Sequence, residues 1–450
     1  MNASLHFATA LLPDGWASDV RITVQDGLIA AIDTGVTPGE GERHAIALPG
    51  LPNLHSHAFQ RGMAGLAEVR GLSDDSFWTW REIMYRFVDR LTPDDLAAIA
   101  AQAYVEMLES GFTRVGEFHY LHHDRDGRPF ADRAAMSAAI VAAAGETGIA
   151  LTHLPVFYAH AGFGGSTPGE GQRRFIHDID RFAKLLDAAR AKAKALPDAV
   201  VGIAPHSLRA VTPEELAALV PMAGGAPIHI HIAEQVREVE DCLTWSDARP
   251  VEWLLDHAPV GPQWCLIHAT HMTEAETAAM ARRGAVAGLC PITEANLGDG
   301  LFPAETFLAA GGHYGVGSDS NVRIDATEEL RLLEYGQRLA RRSRNLLAEP
   351  GRSTGGALYR AALAGGARAL GAEASLCVGA SADIVSLDAA HPSLAARNGD
   401  ALLDGLIFAA GREAIDRVWR RGREVVTNGR HVARNAIAAR YRATLAKLLA

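Results

Sequence analysis

Two histidines one residue apart, His55 and His57, close an apolar stretch that begins at Leu51. Alternate side chains of a strand share a face, so the two imidazoles point one way and Ser56 the other. A pair of imidazoles on a rigid element is half of a zinc site; alone, it also fits an exposed strand end. Downstream, His231 and Asp319 supply the missing partners. Three histidines and one aspartate suit zinc or iron(II). Each has a plainer reading: His231 as a satisfied core histidine, as expected for His229 on the same face, and Asp319 as a helix N-cap. Glu234 lies three residues past His231, within reach of a metal-bound water without being a ligand, which suits a proton shuttle; otherwise it is a surface acid at a helix start. His268 can polarise the water or steady a tetrahedral intermediate.

The elements that must position these groups follow from periodicity and turn residues. Residues 4–48 read as short strands (5–12, 20–24, 28–32), with Asp26-Gly27 as a hairpin turn. From Gly50 onward, apolar strands alternate with helical stretches. Strands are expected at 51–57, 113–118, 150–155, 200–204, 228–232, 265–268, 286–289 and 313–317. A loop rich in aromatic and charged residues is expected over 71–90. Thr92-Pro-Asp-Asp95 and Thr212-Pro-Glu-Glu215 open helices with a capping Thr, a Pro in the first turn and acids at the positive dipole end. Further helices are expected near 131–146, 181–195, 251–256, 273–282 and 327–342, with helical sequence at 356–370 past the barrel proper. Eight alternations predict an α/β fold, a (β/α)8 TIM-like barrel over 49–375. The tail returns to strands, so 1–48 and 376–434 are expected to join in one small β-sandwich domain, followed by a terminal helix over 435–450.

Active sites of such barrels gather at the C-terminal strand ends. Those ends carry His55 and His57, then Glu117, His119 and Tyr120, then His206 and Arg209, His231 and Glu234, His268, and Ser318-Asp-Ser-Asn321. The carboxylated Lys that bridges two metals in binuclear barrels has no candidate here. The chain's four lysines, Lys184, Lys192, Lys194 and Lys447, all lie in helical sequence, so one metal ion is the simpler fit.

Composition bounds the rest. A hydrophobic fraction of 48% over 450 residues fits one large and one smaller soluble domain, and a net charge of −10 argues against a nucleic-acid partner. The four scattered cysteines form neither a disulfide scaffold nor a thiolate metal site. With no secretory signal and no membrane-spanning run, a cytoplasmic protein is expected.

His55-Ser-His57, His231-Ile-Ala-Glu234, His268 and Ser318-Asp319 resemble, in order and context, the single-metal deaminase branch of the amidohydrolase superfamily, and Gly379-Ala-Ser-Ala-Asp-Ile-Val385 is similar to its terminal β segment. The run from His55 to Glu68, with Trp78-Thr-Trp-Arg81, Glu117-Phe-His-Tyr120 and His206-Ser-Leu-Arg209, is similar to the formimidoylglutamate deiminases of histidine degradation. That resemblance implies one zinc, with iron(II) as a substitute, on His55, His57, His231 and Asp319. It implies catalysis by Glu234, His268 and Asp319, and substrate binding by Gln60, Arg81, Tyr120, His206 and Arg209. The expected partners are a small dicarboxylate substrate and a second copy of the chain in a homodimer. Two other functions are left open: a deaminase of a purine, pterin or other cyclic amidine, and a metal-binding assembly protein.

Overall fold

A computed structural model describes residues 3–39, 43–70 and 77–450. Eight parallel barrel strands alternate with helices. Strand one is Leu51–Ser56, strand two Phe112–His119 and strand three Ala150–Phe157; strand four comes in two short pieces, Val200–Val201 and Ala204–Pro205. Strands five to eight are Ile228–Ile232, Trp264–His268, Val286–Leu289 and His313–Val316. Strands one to four pair in order, and so do five to eight. The two halves are joined by isolated parallel bridges, Ile203 with Ile228 and Ser207 with His231 on one side, and Ser56 with Asp319 on the other.

Local chemistry explains most boundaries. Thr92 caps helix Pro93–Glu109 in a reciprocal box, its hydroxyl accepting from the Asp95 amide while the Asp95 carboxylate accepts from the Thr92 amide. Thr212 does the same for Pro213–Leu219, and Thr273 for Glu274–Arg283. Strand four breaks at Gly202, where a Cβ would run into the Pro227 carbonyl. That close approach brings strand five alongside but leaves room for one short ladder on each side of the glycine.

Four expectations about this region need correction. The stretch 71–90 is not wholly a loop: 71–76 lie outside the described residues, and Phe77–Val88 is a helix. Helix Pro250–His257 is preceded by another, Val236–Ser246, which the sequence reading passed over. His57 sits just beyond strand one rather than on it. Helix Thr354–Ala369 does not lie past the barrel. It packs on strands one, seven and eight, its Gly365 so close to the Tyr314 carbonyl that a side chain there would clash. Its C-terminal end plugs the barrel floor: the Ala369 carbonyl faces His229 Nε2 at 2.8 Å, and the Leu370 carbonyl accepts from the Thr152 hydroxyl at 2.9 Å. His229 is therefore a core histidine, as expected, but it is satisfied only at Nε2, its Nδ1 being buried without a partner.

The chain ends meet in one eight-stranded sheet, with strands from residues 3–49 beside strands from residues 384–431. Alternation divides its side chains. Phe7, Val20, Ile22, Ile384 and Trp419 build a core of their own, while Ile46, Leu48, Val385 and Leu387 join the main core under the barrel helices. Helix Arg434–Leu449 closes the chain. No helix among the described residues is long and apolar enough to cross a membrane.

Candidate active site

The four expected ligands converge at the C-terminal mouth of the barrel, their nearest donor atoms all within 4.8 Å of one another. Asp319 Oδ1 lies 3.4 Å from His55 Nε2 and 3.3 Å from His57 Nε2, and His55 Nε2 lies 3.1 Å from His231 Nε2. Backbone carbonyls fix two of the rings. His57 Nδ1–H donates to Phe118 at 2.8 Å and His231 Nδ1–H to His206 at 3.2 Å, which leaves each Nε2 with a lone pair aimed inward. Burial lowers His55 to a pKa of about 3 and holds His231 well below its usual value, so both are neutral. Burial alone would raise the Asp319 carboxyl, but the contacts of its Oδ1 with the His55 and His57 rings outweigh it and hold it well below the usual carboxylate value. A shared proton could relieve one contact between these acceptors but not all of them. One cation satisfies the set, and N3O is a donor set divalent zinc accepts.

Holding the ligands together is a staple between strands one and eight. Asn53 donates to the Ser318 hydroxyl (2.6 Å), Ser318 donates to Asn321 (2.6 Å), and Asn321 reaches Ser56 and the His57 and Asp319 carbonyls (each 3.1 Å). Glu117, on strand two, accepts the Ala58 amide at 2.8 Å and the Tyr104 hydroxyl at 3.2 Å, fixing the turn that carries His57. Four site positions also hold left-handed backbone without being glycine: Ala233 (φ 50°), His268 (φ 66°), Asp319 (φ 42°) and Asn321 (φ 55°). Such conformations cost about 1–3 kcal/mol each and persist where surrounding contacts over-determine them.

Glu234 and His268 stand beside the ligand set. His268 Nε2 lies 3.8 Å from Glu234 Oε1 and 3.8 Å from Asp319 Oδ2. Burial pushes the Glu234 carboxyl up to about 7, against the opposing charge of His268. Burial also disfavours the His268 cation, but the Glu234 charge and a 3.2 Å hydrogen bond from Nδ1 to Glu294 outweigh it and raise its pKa. Cys290 completes a second ligand-like trio with His268 and Glu294. There the Glu294 oxygen that meets His268 also accepts the Cys290 amide at 2.9 Å, and burial drives the Cys290 thiol well up, so the trio orients His268 rather than offering three free donors.

A cavity of about 600 Å³ opens over these groups, and all five residues expected to hold substrate line it: Gln60, Arg81, Tyr120, His206 and Arg209. Gln60 donates to the Tyr120 hydroxyl at 2.9 Å. Burial, then the charge of Arg209, holds His206 neutral. Arg81 and Arg209 each bury an Nε with no hydrogen-bond partner, and neither has a carboxylate ion pair among the described residues. Sequence reading missed the aromatic wall, Trp80, Tyr85, Tyr158 and Phe175. Two of these ride on helix Phe77–Val88, where Trp80, Arg81, Met84, Tyr85 and Val88 recur at helical spacing, the signal that could have found them.

Comparison with known proteins agrees with this geometry. Residues 46–425 match the amidohydrolase family and residues 3–45 match the N-terminal domain of formimidoylglutamate deiminase HutF. The chain is 53% identical to formimidoylglutamate deiminase of Pseudomonas aeruginosa, over 98% of both chains. The crystal structure of an amidohydrolase from Brucella melitensis superposes with a TM-score of 0.97 at 56% identity, covering 99% of this chain and all of that one. An adenosine deaminase from Xanthomonas campestris with bound zinc shares the fold at a TM-score of 0.81 and 23% identity, covering 99% of this chain and 98% of its own. The chain belongs to the amidohydrolase family, on its formimidoylglutamate deiminase branch.

Proposed function

We propose that this cavity hydrolyses N-formimidoyl-L-glutamate to N-formyl-L-glutamate and ammonia, in the cytoplasm, with one zinc ion per chain. The observation that carries the substrate is the pair of guanidiniums, Arg81 and Arg209, each with a buried Nε that has no partner, on the wall of the cavity that holds the ligand set. Two carboxylates on one small molecule are what two such forks recognise. When bound at His55, His57, His231 and Asp319, a divalent cation lowers the pKa of a water and polarises the formimino group.

The chain's own groups do the rest. Arg81 and Arg209 take the two carboxylates and hold the formimino end against Glu234. Asp319 accepts the proton of the attacking water. His268, kept oriented by Glu294, steadies the negative charge on the oxygen added to the former amidine carbon. Glu234, a carboxyl poised near neutrality, hands protons to the nitrogen so that it departs as ammonia. Gln60, through Tyr120, and neutral His206 border the polar end of the substrate.

The aromatic wall favours one competing substrate, a planar cyclic amidine, which would stack there and leave both arginines without a role. Ammonia release measured across formimidoyl-amino acids and aminated purines and pterins separates the two. Turnover confined to the dicarboxylate supports the assignment; turnover of a ring with none of the dicarboxylate overturns it. An assembly protein would need no shuttle beside the ligands, and Glu234 is there.

A further inference from the structure

Three guanidiniums gather on one indole. The central carbons of Arg81, Arg237 and Arg209 lie 4.6, 5.0 and 5.6 Å from the Trp78 ring centre. Two of the three already face the cavity above the ligand set; Arg237 does not. It lines a second, outer cavity of about 860 Å³ that shares Arg81 and Arg209 with the first as a common wall. The far side of this outer space is apolar, with Phe163 and Trp245 stacked at 5.5 Å. Asp241 is the one acid among its lining residues, and it meets Arg237 at 3.7 Å with side chains 51% and 65% exposed, a loose and solvated pair. The chain as a whole carries a net charge of −10, which repels a dianion from most of its surface.

We infer that the outer cavity is an anion-docking vestibule for small dicarboxylates, in which Arg237 takes a carboxylate before Arg81 and Arg209 receive it. The proposal rests on the dicarboxylate assignment above. The three cations share one aromatic face, so a carboxylate moves from one charge-assisted partner to the next without being returned to bulk water between them. Product leaves by the same stations in reverse. Arg237 is then a specificity residue for anionic substrates that never meets the reacting atoms.

The test is the ionic-strength dependence of kcat/KM for N-formimidoyl-L-glutamate in the wild type, Arg237→Met, Arg237→Lys and a control of equal charge change, Arg181→Met. Arg181 is exposed, pairs with Asp178 and lines neither cavity. At ~10 mM ionic strength, where charges act over ~30 Å, Arg237→Met should lower kcat/KM by about three- to tenfold; at ~1 M, where they act over ~3 Å, the deficit should shrink below about twofold. Arg237→Lys should keep most of the salt slope, and Arg181→Met should follow the wild type. Parallel salt slopes for wild type and Arg237→Met, or an equal loss in Arg181→Met, overturn the vestibule. Calorimetric binding of glutarate separates this failure from failure of the substrate assignment. Glutarate binding weakened by Arg237→Met in a chain that does not turn over formimidoylglutamate keeps the vestibule and removes the substrate. Turnover with salt slope and glutarate binding both unmoved by Arg237→Met removes the vestibule alone.

Discussion

Replacing Arg209 by Met keeps most of the side-chain volume and deletes the charge. Arg209 as a residue is 7% exposed and its Nε has no partner, so a substrate carboxylate would meet it in a largely dry setting. A hydrogen bond to a charged group is worth about 1.5–3 kcal/mol net, which converts to a fall in kcat/KM of roughly tenfold to 150-fold. The structure adds a complication. Burial opposes the Arg209 cation, and the neighbouring Glu238 is the largest influence sustaining it. Glu238 is fully buried, with one oxygen accepting the Glu234 amide at 3.1 Å and the other unpartnered. Arg209→Met therefore strands a buried carboxylate beside the backbone of the shuttle, and that alone can depress turnover. Arg209→Met/Glu238→Gln removes both charges and keeps an acceptor for the Glu234 amide. The assay is ammonia release from two substrates, N-formimidoyl-L-glutamate and formimidoyl-glycine, in the wild type, Arg209→Met, the double variant and Arg81→Met. Whichever arginine meets the side-chain carboxylate should lose at least tenfold in kcat/KM on the glutamate compound and much less on the glycine compound, which lacks that group. Equal losses on both substrates for both arginines would show that neither recognises the side-chain carboxylate, and the reasoning from paired guanidiniums would fail.

Three further outcomes are expected. Glu234→Gln should keep one equivalent of divalent metal by elemental analysis and lose turnover by about two to four orders of magnitude; near-normal turnover at full metal content would place the shuttle elsewhere. Gly317→Ala should lose metal while keeping its circular dichroism, because a Cβ there would lie 2.7 Å from the His55 amide nitrogen and carbonyl oxygen and force strands one and eight apart between the ligands; full metal retention would refute this. Urea midpoints should fall as pH drops from about 6.5, the usual value for histidine in an unfolded chain, toward about 5. Burial holds His153 and His177 near a pKa of about 3, so the folded state binds fewer protons than the unfolded state between those values and loses stability as pH falls; a midpoint unchanged between pH 7 and 5 would contradict it.

What was legible in the sequence was chemistry that repeats at short range. The capping threonines Thr92 and Thr212 announce their helices within four residues. The strand ends announce themselves by polar residues after apolar runs, which is why the residues that cluster at the barrel mouth, Glu234 and the five cavity residues could be picked out from spacing and resemblance together. Helix Phe77–Val88 was hidden because its tryptophans and Arg81 face a cavity instead of a core, and composition of that kind reads as loop. Helix Thr354–Ala369 was misplaced because helix Ala326–Arg341 already filled the expected slot after strand eight. Asn53, Ser318 and Asn321 could not be read at all as a unit. Asn53 and Ser318 are separated by 265 residues, and only closure of the barrel makes them neighbours.

That closure ties fold to chemistry. Between strands eight and one, and between four and five, the ladder thins to isolated bridges, and all four candidate metal ligands lie in or next to those bridges: Asp319 and His231 in them, His55 and His57 beside Ser56. The His57 amide donates to the Asp319 carbonyl, the Asp319 amide to the His55 carbonyl, and the His231 amide to the His206 carbonyl, each at 2.9–3.0 Å. The same residues that would grip a cation through their side chains thus close the barrel through their backbones. Weak pairing at those seams leaves the ligands free of a rigid ladder, so Ala233 and Asp319 can take up left-handed backbone that a continuous strand would forbid. A cation shared across both seams would in turn hold together the two half-barrels that hydrogen bonds alone join most sparsely. The candidate ligands stand where the barrel is joined most sparsely, and an ion bound there would contribute to the fold as well as to the reaction.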